Sequence, residues 1–137
     1  MADSVRVRAE ILSEMLAHAR REPLIECCGL LAGRDGVITA IFPAANALSS
    51  ATAYEIAPRE LFDLFRTLRA EDLTHLGHYH SHPSTDNFPS PTDIEQGAYP
   101  DQAYFIVSPR ADLANPVRAF SIRDGCVREL AIIETVS

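Results

Sequence analysis

No apolar run in the 137-residue chain approaches the roughly 20 residues that a membrane-spanning helix needs. The opening Met1-Ala2-Asp3-Ser4-Val5-Arg6 lacks a basic region followed by an apolar stretch, so no secretory signal is expected. Cysteine is scarce and odd in number, and Cys27 and Cys28 are adjacent, so they cannot easily bridge each other. With Cys126 they read as small buried apolar side chains in a reducing compartment, and a cytoplasmic location is expected. Positive charge is also short: 12 Lys and Arg stand against 19 Asp and Glu, a net charge of −7. That argues against wrapping a nucleic acid or an anionic membrane, either of which needs a positive field, and it suits a protein partner. There is no internal repeat, low-complexity tract or domain-separating linker.

What remains is the balance of a globular protein, 47% apolar and 23% charged. The length predicts a single domain over residues 1–137. Val5-Arg6-Val7 reads as a first strand. Ile11, Leu12, Met15, Leu16 and Ala19 recur at helical spacing until Pro23 stops the pattern. Cys27 to Ala32 reads as a buried strand, returned through Arg34-Asp35-Gly36 into Val37 to Phe42. Asn46 to Ala53 is a small-residue loop, and Tyr54-Glu55-Ile56 a short strand. Pro58 opens a second helix with the stripe Leu61, Phe62, Leu64, Phe65 and Leu68. The span from His75 to His82 is a strand, Pro83 to Pro89 a loop, and Ser90-Pro91 a helix start. Strands at Ala103–Val107, Val117–Ile122 and Cys126–Ile132 complete an α/β (α+β) domain, a mixed sheet flanked by helices.

Four of the five histidines fall within eight residues: His75, His78, His80 and His82. On a strand the last three share a face, with neighbours in that row about 6.6 Å apart. His80 and His82 can converge on one ion, and the loop that follows is long enough to bring Asp93 beside them. Two imidazoles and a carboxylate leave a fourth position open, which is the pattern of a catalytic rather than a structural zinc. Zinc in such a site lowers the pKa of water from about 15.7 toward roughly 7. Ser-x-x-Asp, here Ser90 to Asp93, is also a helix-capping pattern that needs no metal, and Ser90 stays divided between cap and oxyanion donor. His75 and His18 are taken as surface residues. His78 is either a supporting residue of the metal site or a solvated strand position. Cys28 shares the face of Glu26, and a thiolate near the metal stays open, although the core reading is preferred.

His80-Ser81-His82-Pro83, six residues, then Ser90-Pro91-Thr92-Asp93 resembles the JAMM motif of the MPN-plus (JAB) metallopeptidases. That family also has a Pro-x-x-Glu-x-Cys-Gly-Leu-Leu-x-Gly pattern, and here Pro23-Leu24-Ile25-Glu26-Cys27-Cys28-Gly29-Leu30-Leu31-Ala32-Gly33 matches it. The resemblance implies the three-layer MPN fold, similar to that of cytidine deaminase. It implies one zinc per chain on His80, His82 and Asp93, Glu26 as general base and then general acid, and Ser90 as oxyanion stabiliser. Read from the residues alone, Glu26 is an acid opening an apolar strand, which is costly unless it is exposed or partnered. His78 departs from relatives that often carry an aromatic residue at that place.

Small prokaryotic members resemble enzymes that act on ubiquitin-like (β-grasp) sulfur-carrier proteins. The expected activity is therefore zinc-dependent hydrolysis of an amide bond at a carrier's C-terminal Gly-Gly, with the tail lying extended beside a sheet edge. The carrier or its adduct is the expected partner, and a homodimer is also open. Two other readings stand beside this one: a non-catalytic MPN scaffold, disfavoured because the ligand set is intact, and a RadC-like DNA-repair domain, disfavoured by the Glu26 motif and the acidity.

Overall fold

The computed structural model describes residues 3–110 and 112–136. The elements run β1 (Ser4–Arg8), α1 (Ala9–Arg21), β2 (Cys28–Arg34), β3 (Val37–Ala44), α2 (Pro58–Ala70), β4 (Thr74–Ser81), α3 (Pro91–Glu95), β5 (Ala103–Val107), β6 (Val117–Arg123) and β7 (Cys126–Thr135). Local chemistry sets their limits. In α1, buried Ile11, Met15, His18 and Ala19 form one face. The helix ends where the Glu22 N–H turns back to the His18 and Ala19 carbonyls and Pro23 offers no donor. Both Asp-Gly hairpin turns place two successive residues at positive φ, Asp35 and Gly36 at 55° and 75° and Asp124 and Gly125 at 51° and 78°. Those turns twist with the strands they join.

The strands follow the order β1-β3-β2-β4-β5-β6-β7, and the sheet closes. Closure comes from β1, which runs parallel to both β3 and β7. The open sheet edge expected to receive an extended tail is therefore lacking among the described strands, since each has a neighbour on both sides. The segment from Tyr54 to Ile56 is not a strand. Glu55 pairs with the preceding loop instead, donating to Asn46 and accepting from Ala47.

Alternation along the central strands divides the chemistry. Leu31, Tyr79, Phe105 and Val107 join Ile11, Met15 and Ala19 of α1 in the main core. Leu30, His78, His80, Tyr104 and Ile106 face the other side, toward α2 and α3. Gly29 is fixed by the core, because a Cβ there would lie 2.4 Å from Tyr79 Cε1 and 2.5 Å from the Phe42 carbonyl oxygen.

Several side chains lie elsewhere than expected. His18 is buried rather than exposed, its Nδ1 2.7 Å from the Tyr79 hydroxyl and its Nε2 2.7 Å from Glu22. His75 is half-buried, packed against Phe65, His78 and Tyr99. Cys126 is exposed at the start of β7, while Cys27 and Cys28 are buried. In α2 the apolar stripe is only partly covered: Leu68 is buried and Phe62 is 60% exposed. No helix among the described residues is long and apolar enough to cross a membrane.

Candidate metal centre

His80 sits on β4 and His82 one residue past its end. The His82 N–H still donates to the Val107 carbonyl at 2.9 Å, so strand alternation carries through and both rings emerge on one side. The loop after Pro83 then returns the chain to α3, which brings Asp93 against them. The three donor atoms form a compact triangle: His80 Nε2 to His82 Nε2 3.2 Å, His80 Nε2 to Asp93 Oδ2 3.2 Å, and His82 Nε2 to Asp93 Oδ2 3.0 Å. Ligand atoms about 2.1 Å from a tetrahedral ion are about 3.4 Å apart, so these edges are close to one face of a zinc tetrahedron.

The ring chemistry also fits. His82 Nδ1 lies 2.7 Å from the Asp86 carbonyl, which only accepts. Nδ1 therefore carries the proton, and Nε2 turns a lone pair into the triangle. Among the described residues this is the cluster of His, Cys, Asp or Glu side chains with the geometry to hold a metal. Cys28 takes no part: burial pushes its thiol up to about 12, and Sγ lies 3.8 Å from the Ala44 carbonyl.

The capping pattern and the ligand pattern coincide. Ser90 Oγ accepts the Asp93 N–H at 3.1 Å, and Asp93 Oδ2 accepts the Ser90 N–H at 2.9 Å. That capping box starts α3 and aims the same Oδ2 at both imidazoles. A hydroxyl that accepts one bond still has its own proton to donate, so the cap leaves Ser90 free for a second task. Burial alone would raise the Asp93 pKa, but the bonds from His80, His82 and the Ser90 backbone outweigh it and hold the carboxyl well below its usual range. Burial lowers His80, whereas His82 is raised overall because Asp93 and the Asp86 carbonyl outweigh its burial.

Glu26 lies just before β2 and is buried, with Oε1 unpaired. Burial pushes its carboxyl up to about 7; His82 pulls it down and Asp93 adds to the rise. Ionised Glu26 therefore costs folding free energy. Its contribution is intact below about 4.5 and is lost as pH rises through about 7. In chelator-treated protein, Glu26→Gln should gain on the order of 2 kcal/mol over wild type at pH 8.5 and little at pH 4.5. Urea denaturation at both values checks this; an equal difference at both would show that Glu26 does not titrate there.

Two residues that sequence reasoning passed over complete the surroundings. Asn46 is buried in the small-residue loop. It donates to the carbonyls of Glu26 and Ala53, both at 3.0 Å, and accepts from the Leu48 and Glu55 N–H groups. It thereby ties the Glu26 backbone to the loop carrying Tyr54. An Asn within a turn-rich segment is the only signal for this, and that signal is weak. Tyr54 stacks on His80, ring centroids 4.7 Å apart and 25° between planes. His78 is neither solvated nor in the triangle: it is buried against Tyr104 and Tyr99. Burial pushes its imidazole down to about 3.

Comparison with known proteins bears on this arrangement. Residues 8–123 match the model of the prokaryotic homologs of the JAB domain. The CysO-cysteine peptidase of Mycobacterium tuberculosis is 36% identical over 125 residues, spanning 90% of this chain and 86% of that protein. A probable TtuB-protein conjugate cleaving protease of Thermus thermophilus is 36% identical over 124 residues, 90% of this chain and 78% of that protein. The solution structure of a Desulfitobacterium hafniense protein superposes with a TM-score of 0.82 at 33% identity, covering 97% of this chain and 94% of that one.

Proposed function

The chain belongs to the family of prokaryotic JAB-domain proteins, and from that premise we propose that it is a zinc-dependent peptidase. It hydrolyses the amide bond at the C-terminal Gly-Gly of a ubiquitin-like sulfur-carrier protein, releasing the group attached there. Relatives named for cleaving a cysteine adduct and a protein conjugate support that substrate class and a hydrolytic reaction. The observation that carries the metal assignment is the near-equilateral triangle of His80, His82 and Asp93 donors. These three would hold one zinc per chain. The ion supplies Lewis acidity, polarising the scissile carbonyl and acidifying water.

The chain's own residues move the proton. Glu26, its carboxyl made more basic by burial, takes a proton from the attacking water and delivers it to the departing amine nitrogen. Asp93, which accepts the Ser90 N–H and is one of the three converging donors, would stay a metal ligand and takes no part in that proton transfer. Ser90 donates its hydroxyl proton to the carbonyl oxygen as negative charge develops there.

Ser90→Ala separates its two roles. Loss of the cap costs about 1 kcal/mol and lowers the melting temperature by a few degrees. Loss of the donor lowers kcat about 100-fold with zinc retained. Thermal unfolding, zinc content and turnover of a carrier fusion are measured together. A lower melting temperature with unchanged kcat would leave Ser90 as a cap alone. The reading as a whole is tested by presenting the zinc-loaded protein with β-grasp carriers extended past Gly-Gly by cysteine or by a lysine-linked peptide. Mass spectrometry should find the carrier restored to its Gly-Gly end; intact fusions throughout would overturn it.

A further inference from the structure

The segment of residues 83–89 joins His82 to the helix that carries Asp93, and it has no helix or strand of its own. Ser84, Thr85 and Asp86 are exposed. A free loop of this kind would lose conformational entropy each time the two donors converged. Here it is fastened to the sheet on the side of β6. Asn87 is buried, and its amide donates to the Asn115 carbonyl at 2.9 Å. The Phe88 ring lies edge-on to buried Phe120 of β6, centroids 5.3 Å apart and 80° between planes. The Arg118 guanidinium lies over both rings, 5.7 Å from the Phe88 centroid and 5.2 Å from that of Phe120.

That guanidinium is itself fixed. Glu129 on β7 accepts two bonds from it, at 3.0 and 2.8 Å. Its Nη1 also lies 4.0 Å from the carboxylate of Asp86, whose carbonyl is 2.7 Å from His82 Nδ1. Alternation gives Arg118, Phe120 and Ile122 one face of β6, and Ile122 borders the small space beside His80 and Asp93. The pair with Glu129 alone would satisfy the charge of Arg118. The planar fork also stacks, which an ammonium on a flexible stem does not do. We propose that Arg118, with Phe88, is a positioning residue of the metal centre: the stack anchors the loop, so that the Asp86 carbonyl and His82 stand in place before a metal binds. This rests on the metal site of the peptidase reading, and it assigns the order of that site to side chains that are not among its three donors.

The test reads loop order and zinc affinity, and neither needs turnover. In metal-free parent protein, backbone order parameters from NMR relaxation should be near about 0.85 for Ser84 to Phe88, and in Arg118→Ala they should fall below about 0.6. Zinc affinity, measured by competition with a chromophoric chelator, should weaken by about 10- to 100-fold, as for other residues that orient a metal ligand. Arg118→Lys should resemble Arg118→Ala more than the parent. Phe88→Ala removes the other half of the stack and should weaken zinc similarly. The double variant should then stay within about 3-fold of the weaker single variant, because partners in one contact are not additive. Arg110→Ala, which breaks an exposed pair with Asp112, should change neither reading. A loop already mobile in the parent, zinc affinity unchanged in both single variants, or losses that multiply in the double variant would each overturn the proposal. A parent that binds no zinc would overturn the metal site, and the relaxation of the metal-free proteins would still decide whether the stack anchors the loop.

Discussion

Glu26→Gln should keep its zinc and lose turnover by about 10³- to 10⁴-fold, the range expected when a positioned proton carrier is removed. The substitution leaves the surroundings of residue 26 alone. Glutamine has nearly the volume of glutamate, so the packing before β2 is preserved, as are the backbone bonds of residue 26 to Ser50 and Asn46. Glu26 is not one of the three converging donors, so the metal has no reason to leave. Only the ability to take and return a proton is lost. Glu26→Asp is the informative companion, because it keeps the carboxyl but withdraws it by one methylene; it should be slowed less than Glu26→Gln. Single-turnover rates and zinc content of the three proteins decide the matter. Full activity in Glu26→Gln would place the base elsewhere.

The second large effect is loss of metal and activity together. His80→Ala removes one corner of a triangle whose other edge is only 3.0 Å, leaving His82 and Asp93 as a two-donor site. Zinc should dissociate in mild chelator, and turnover should fall to background, a loss of about 10⁴-fold or more. The ring is buried and stacks on Tyr54, so its removal also opens a void. Asp93→Asn therefore serves as a second variant. It preserves side-chain size and the capability to cap α3 but removes the charge that both imidazoles face. It too should bind zinc at least 100-fold more weakly. A variant that folds, keeps zinc and keeps turning over would remove these residues from the ligand set.

The sequence carried most elements of the fold, the expected strand at residues 54–56 excepted, and much of the candidate site, and the reasons differ by element. Helix α1, strand β4 and the two Asp-Gly turns are written in local patterns: helical periodicity, alternation, and residues tolerant of positive φ. Closure of the sheet is not, because β1 meets β7 through parallel pairing across nearly the whole chain, and no local pattern encodes such a partner. The apolar stripe of α2 was legible, but how much of it is covered depends on neighbours, and Phe62 remains outside. His18 was misread for the same reason: on a helix it looks like any polar residue until Tyr79 arrives from a distant strand. The convergence of His80, His82 and Asp93 was legible because spacing, residue type and a helix start coincide. The double use of Ser90-x-x-Asp93 was half legible, since sequence posed cap against ligand while the structure satisfies the capping geometry and the convergence at once. Tyr54 and Asn46 gave almost no signal, because their importance lies in contacts made by a loop.

The most direct test of this account is the zinc content of protein purified without chelator or a histidine tag, measured by plasma mass spectrometry beside His82→Ala. The parent should carry about one zinc per chain and the variant none, as expected for a three-ligand site. No zinc in either protein after addition of the metal, or equal zinc in both, would contradict it.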